Sequence, residues 1–137
     1  MKLSIFTDGG SLNNPGQAAY AFAIYQNNKL IYSEGKTIGV ATNNAAEYTA
    51  LICALEKIKT LTTNSQSPII NITVFSDSQL MVNQVNGLFK VKNAAIREFI
   101  LKIRVLEQEI NQPVIYKHIS REKNSFTDSL VKKALGR

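Results

Sequence analysis

Two segments of the chain, Ser4-Ile5-Phe6-Thr7-Asp8 and Thr73-Val74-Phe75-Ser76-Asp77, carry one pattern, an apolar run that ends on an aspartate. Each reads as a β-strand with a carboxylate at its exit. Side chains alternate along a strand, so Phe6 and Asp8 share one face of the first segment, and Phe75 and Asp77 share one face of the second. If the strands lie parallel and adjacent, the aspartates converge. Converging carboxylates repel each other and lose solvation, and a fold tolerates them mainly when a cation or a proton compensates. Glu47 is a third acid, in line with Leu51, Ala54 and Ile58 on the helical stripe that faces the sheet. Asp128, at the start of the last predicted helix, is a fourth. Hard oxygen ligands at strand exits and helix starts suit Mg²⁺ or Mn²⁺, whereas one His and one Cys leave no zinc cluster.

Each of the helical acids also has a plainer reading. Asn44 and Glu47 have the spacing of a capping box, in which the glutamate reaches back to the Asn44 N–H. Asp128 in a first helical turn favours the helix dipole. Both alternatives stay open on the residues alone.

The composition narrows the setting. A length of 137 residues is most simply one domain, spanning 1–137, and a hydrophobic fraction of 45% is ordinary for a soluble globular protein. No apolar run is long enough to cross a bilayer, and the N-terminus enters a strand without a signal-peptide pattern, so a cytoplasmic location is expected. No obligate protein partner is implied, and a monomer is the expectation. Cys53 has no second cysteine to pair with, and a small buried thiol within a helix is its expected state. Lys plus Arg number 16 against 10 Asp plus Glu, a formal charge of +6, which favours a polyanionic partner. Excess positive charge beside clustered carboxylates separates a surface that holds phosphate from a pocket that holds cations.

Periodicity and turn chemistry supply the elements that must position these groups. Gly9 to Gly16 reads as turn chemistry throughout. Ala18 to Tyr25 and Leu30 to Lys36 read as strands joined across Gln26-Asn27-Asn28-Lys29, so the chain opens with three antiparallel strands. A helix is expected from Asn43-Asn44 to about Leu61, followed by a polar loop from Thr62 to Pro68. Then come a strand from Ile69 to Ser76, a short helix from Ser78 to Val85 and a longer one from Ala94 to Ile110. A strand from Val114 to Ile119 and a helix from Ser125 to Leu135 close the chain. The order β-β-β-α-β-α-α-β-α predicts an α/β fold, a five-stranded mixed sheet flanked by helices, whose second half is parallel because its crossovers have helical length.

Thr7-Asp8-Gly9-Gly10-Ser11 with Asn14-Pro15-Gly16, Thr42-Asn43-Asn44-Ala45-Ala46-Glu47, Ser76-Asp77-Ser78 and the run from His118 to Asp128 together resemble the ribonuclease H type 1 family. The resemblance covers essentially the whole chain. It implies the ribonuclease H-like fold and hydrolysis of the RNA strand of an RNA–DNA hybrid, giving a 5′-phosphate and a 3′-hydroxyl. Two divalent ions roughly 3.5–4 Å apart would do this, one lowering the pKa of the attacking water and the other steadying the leaving oxygen. By the same resemblance Asp8 is shared between the ions, Glu47 and Asp77 complete one shell, and Asp128 assists the second. Gly9, Gly10, Asn43 and Asn44 fall to the RNA strand, where glycine permits close approach and amides can read the 2′-hydroxyl. Asn14 and Thr42 fall near a phosphate of the DNA strand. Without the acids, Asn13 to Gly16 would read as a plain turn and Asn43-Asn44 as a helix cap.

The pattern also departs from the family. Many members carry a basic helix with its own loop between the two middle helices, and here only Gly87 to Asn93 fill that place. Lys90 and Lys92 either replace part of that grip or are solvated loop lysines. Near the metals the family places a His, or an Arg in members that lack the basic helix. Of His118 and Arg121 the arginine is preferred, because a histidine within a β pattern is more often packed in its strand. A binding module that has lost catalysis and a DNA-directed nuclease on the same scaffold are the competing readings.

Overall fold

The segments that end on Asp8 and Asp77 are adjacent parallel strands. The computed structural model describes residues 1–64 and 71–137. Its strands are β1 (Lys2–Ser11), β2 (Gly16–Gln26), β3 (Lys29–Ala41), β4 (Asn71–Ser76) and β5 (Val114–His118). Its helices are α1 (Asn43–Asn64), α2 (Gln79–Val85), α3 (Ala94–Ile110) and α4 (Ser125–Ala134), the last preceded by a 3₁₀ turn over Arg121–Asn124. The sheet order is β3-β2-β1-β4-β5; the β1–β2 and β2–β3 pairs are antiparallel, and the β1–β4 and β4–β5 pairs parallel. This is the predicted element order and the predicted mixed sheet. Phe6 pairs with Phe75 in register and their rings stack with centroids 5.0 Å apart, which carries Asp8 and Asp77 to the same end of the sheet.

The two faces of the sheet hold different cores. Leu3, Ile5, Phe22 and Ile24 point to one side and pack with Leu51, Leu55 and Ile58 of α1, all of them buried. Ala19 and Ala21 point to the other side and meet Val131 of α4. Strand β2 is buried on both faces, with aromatic and branched residues toward α1 and alanines toward α4. Small side chains let α4 approach closely, and Gly35 in β3 continues that contact, since a Cβ there would lie 3.1 Å from the Leu130 carbonyl oxygen.

Several boundaries differ from those read in the sequence, each for a physical reason. Gly9, Gly10 and Ser11 are not a turn but the end of β1, held in the ladder opposite Tyr20, Ala19 and Ala18. β3 runs on from Lys36 to Ala41 because β2 pairs with it as far as Gly16, although Gly39 interrupts its side-chain pattern and its apolar Val40 is exposed rather than packed. Thr62 and Thr63 belong to the end of α1, with hydroxyls donated to the Lys59 carbonyl. The rest of the polar loop expected there, and the first residues of the strand expected from Ile69, lie outside the described residues. Cys53 is half-buried rather than enclosed. Among the described residues no helix is long and apolar enough to cross a membrane.

One contact brings α1 to the sheet end. A Cβ on Gly9 would lie 2.3 Å from the Ala46 carbonyl carbon and 2.6 Å from the Glu47 nitrogen, so backbone meets backbone with no side chain between. Neither partner is a flexible group that could yield. Gly9→Ala should therefore cost about 3 kcal/mol or more, the upper range for overpacking, and lower the melting temperature in a thermal denaturation; an unchanged melt would show that α1 can retreat freely.

Candidate active site

The β1–β2 register sets Asp8 opposite Ala21 and Phe6 opposite Ala23, on the face covered by α4. Asp128, in the first turn of α4, reaches Asp8 directly. Glu47 comes from α1 on the opposite face, and it arrives at Asp8 only because the helix start lies flat against Gly9. Asp77 follows the last residue of β4. One carboxylate oxygen from each of Asp8, Glu47 and Asp77 lies within 4.8 Å of the other two. Asp128 stands outside that trio but beside Asp8, and it accepts an ion pair from Lys132 Nζ at 2.9 Å.

Electrostatics mark this cluster as incomplete. Burial, then the charges of Asp77 and Asp128, push the Asp8 carboxyl from 3.8 up to about 7. Burial, then Asp8 and Asp77, hold Glu47 well above its ordinary value. The Gly9 N–H donates to both acids and pulls the other way. Glu47 Oε2 is buried and has no hydrogen-bond partner among the described residues. Buried acceptors without donors are costly and uncommon. Hard anionic oxygens, one of them orphaned, suit an Mg²⁺- or Mn²⁺-sized cation.

The capping-box alternative for Glu47 does not hold. Thr42 caps α1, its Oγ1 accepting from the Ala45 N–H at 3.1 Å, and Glu47 lies too far along the helix to return to the cap. Asn43 and Asn14 join the helix start to the end of β1: Asn43 Oδ1 accepts from the Ser11 N–H at 2.9 Å, and Asn14 Oδ1 accepts from the Asn43 N–H at 3.0 Å. Both amides spend their carbonyl oxygens on the protein. That leaves their N–H₂ groups as donors at an open cleft of about 560 Å³.

The cleft gathers Asp8, Glu47, Asp77 and Asp128 together with Gly9, Gly10, Asn14, Asn43, Asn44 and Arg121. Four residues read as site candidates do not line it. Thr42 serves as the helix cap, and Lys90 and Lys92 are exposed on the 86–93 segment between α2 and α3. His118 ends β5 exposed rather than packed, which removes the reason given for setting it aside, but Arg121 is the one that faces the cleft. Lys132 and Arg137 also line it, and neither had a motif to announce it. Asn124, buried behind the acids, was also missed; its only sequence signal was its place one turn before Asp128.

Comparison with known proteins agrees with this geometry. The family model described as "Reverse transcriptase-like" matches residues 6–134. The crystal structure of LC11-RNase H1 in complex with RNA/DNA hybrid superposes with a TM-score of 0.92 at 35% identity, covering 98% of this chain and 97% of that one. The chain belongs to the ribonuclease H type 1 family. The "Ribonuclease HI" of Halobacterium salinarum is 33% identical over 135 residues, 98% of this chain and 64% of the relative. The "Bifunctional protein Rv2228c" of Mycobacterium tuberculosis is 32% identical over 137 residues, 98% of this chain but 36% of the relative. The chain thus spans about a third of the mycobacterial relative and under two thirds of the halobacterial one. As a ribonuclease H type 1 chain it has no helix between α2 and α3, so the basic protrusion is missing from the fold as it is from the sequence.

The raised acids have a consequence for stability. In the folded state Asp8 and Glu47 hold protons that the unfolded chain has released, so stability falls as pH rises from about 4 to about 7. Melting temperature measured in EDTA should decline across that range, and saturating Mg²⁺ should flatten the decline. A pH-independent melt without metal would contradict the shifts.

Proposed function

We propose that the protein is an endoribonuclease that hydrolyses the RNA strand of RNA–DNA hybrids with divalent cations, Mg²⁺ or Mn²⁺, as one catalytic domain acting in the cytoplasm. The observation that carries this reading is the convergence of Asp8, Glu47 and Asp77 from three separate elements on one small volume, with a Glu47 oxygen left unpartnered among the described residues. Asp8, Glu47 and Asp77 would hold one cation, and Asp8 with Asp128 a second. Bound there, the cations would acidify the attacking water and stabilise charge on the departing 3′-oxygen. Asp8 is suited to the shared position because it lies against Glu47 on one side and Asp128 on the other.

The remaining residues bind and orient. The N–H₂ groups of Asn43 and Asn14 are free to donate, Asn43 to a ribose 2′-hydroxyl and Asn14 to a phosphate oxygen. Arg121, Lys132 and Arg137 supply positive charge at the same cleft, which offsets the repulsion a backbone phosphate would meet from the carboxylates. Water attacks phosphorus, the bond to the 3′-oxygen breaks, and a 5′-phosphate and a 3′-hydroxyl result. No covalent nucleophile is needed.

The two glycines divide their roles. Gly9 serves the α1 contact, whereas a Cβ on Gly10 would find its nearest protein neighbours at 3.9 and 4.0 Å, ordinary contact distances. Gly10→Ala should leave the melt unchanged and raise KM for the hybrid severalfold, about 1 kcal/mol of lost approach; unchanged KM would show that the substrate backbone passes elsewhere.

Cleavage of labelled hybrid, double-stranded RNA and double-stranded DNA, with wild type and Asp8→Asn side by side, tests the whole reading. Wild type should cut hybrid in preference to either duplex, and Asp8→Asn should lose about 10³-fold in rate, the equivalent of several kcal/mol of charge stabilisation. Hybrid binding without Mg²⁺-dependent cleavage would leave the binding-module reading, and preference for DNA the nuclease reading.

A further inference from the structure

We infer that Asn124 is a positioning residue of the acid site, its side-chain amide setting the spacing of three of the four carboxylates. The inference rests on the metal reading above and concerns a residue that touches neither the cleft nor, on this geometry, the substrate. Asn124 is 1% exposed. Its Nδ2 donates to the Thr7 carbonyl at 2.9 Å and, in a longer contact of 3.5 Å, to Asp77 Oδ2. Its Oδ1 accepts from Thr127 Oγ1 at 2.8 Å.

Those three partners are not scattered. Thr7 immediately precedes Asp8, Thr127 immediately precedes Asp128, and Asp77 is itself one of the acids. A single amide therefore ties the backbone of β1, the first turn of α4 and a carboxylate oxygen beyond β4. Thr7 adds a further tie, its Oγ1 donating to the Phe75 carbonyl in β4 at 3.4 Å. Thr7 and Thr127 are both as buried as Asn124, so the bonds among these three lie out of water, while half-buried Asp77 carries the connection to the cleft.

Chemistry favours an amide here over any other side chain of its size. The Thr7 carbonyl and the Asp77 carboxylate are acceptors and need a donor, while the Thr127 hydroxyl needs an acceptor. Leucine would fill the space and satisfy none of them. Aspartate would keep the bond to Thr127 and place another negative charge beside Asp77. The carboxylates repel one another, and without a fixed donor behind them Asp77 and Asp128 would relax away from Asp8. Groups that orient metal ligands from behind are typically worth 10–100-fold in metal affinity or activity.

The test is Asn124→Ala in the full chain, read by Mg²⁺ titration calorimetry, steady-state kinetics on labelled hybrid and thermal melting. Mg²⁺ affinity should weaken by about 10–100-fold, with kcat falling and KM staying within about twofold. A variant that melts earlier yet keeps wild-type Mg²⁺ affinity and kcat would make Asn124 a core fastener and overturn the inference. A loss confined to KM would make it a substrate contact and overturn the inference equally. If Asn124→Ala does not fold, Thr127→Val and Thr127→Ser carry the question, because the serine keeps the hydroxyl bond and the valine does not. Weaker Mg²⁺ binding in the valine variant alone supports the positioning role, and equal binding in both refutes it. Wild type that binds Mg²⁺ but cuts no hybrid would sink the proposed function and leave this comparison intact.

Discussion

The site exists because one helix start lies against one strand with nothing between them. Gly9 has no side chain on the face where Ala46 and Glu47 pass, and a single carbon there would come within 2.3 Å of backbone. Everything about Glu47 follows from that contact. The acids come from opposite faces of the sheet, Asp8 and Asp128 from the side of α4 and Glu47 from the side of α1, and a sheet ordinarily keeps such groups apart. They meet at the sheet end because the backbone there is bare.

Charge then sets what this meeting costs and what it is for. A buried carboxylate loses hydration, and neighbours of the same sign add repulsion, so Asp8 and Glu47 hold protons far more tightly than free acids do. Among the described residues no arginine or lysine pairs with the trio itself. Lys132 pairs with Asp128, and Arg121 lines the cleft without a place among the acids. Hydrogen bonds from Gly9 and Asn124 hold the geometry but do not neutralise it. The fold thus carries a local deficit of positive charge inside a protein of net charge +6. Cations at the acids and phosphates at the surrounding basic groups would answer both imbalances at once.

What could be read in advance depended on how local each cause was. The echo of Phe6 and Phe75 made parallel pairing legible, because alternation along a strand is a property of the strand alone. The stripe of Leu51, Ala54, Leu55 and Ile58 did the same for α1, and it correctly turned Glu47 inward. Gly9 to Ser11 misled, since glycines signal turns when only neighbours in sequence are considered, yet β2 holds them in a strand. The cap of α1 was left open for a related reason. Asn44 and Thr42 both have capping side chains, and only the position of the first helical turn selects Thr42. His118 could not be judged from its strand, because whether a residue at a strand end is packed depends on what covers it.

Residue types and their order alone determined that this chain has acids at strand exits and helix starts, a mixed sheet to carry them, and no thiol or imidazole cluster to compete for a metal. These are consequences of periodicity and of side-chain chemistry, both written locally. Only the tertiary structure decided that Gly9 serves helix packing while Gly10 stays free, that Arg121 rather than His118 faces the cleft, and that Asn124 stands behind the acids. Each of those depends on distances between segments far apart in the chain, as with Asn124 and Thr7, 117 positions away. Such distances arise only when separate elements pack, and no local pattern contains them.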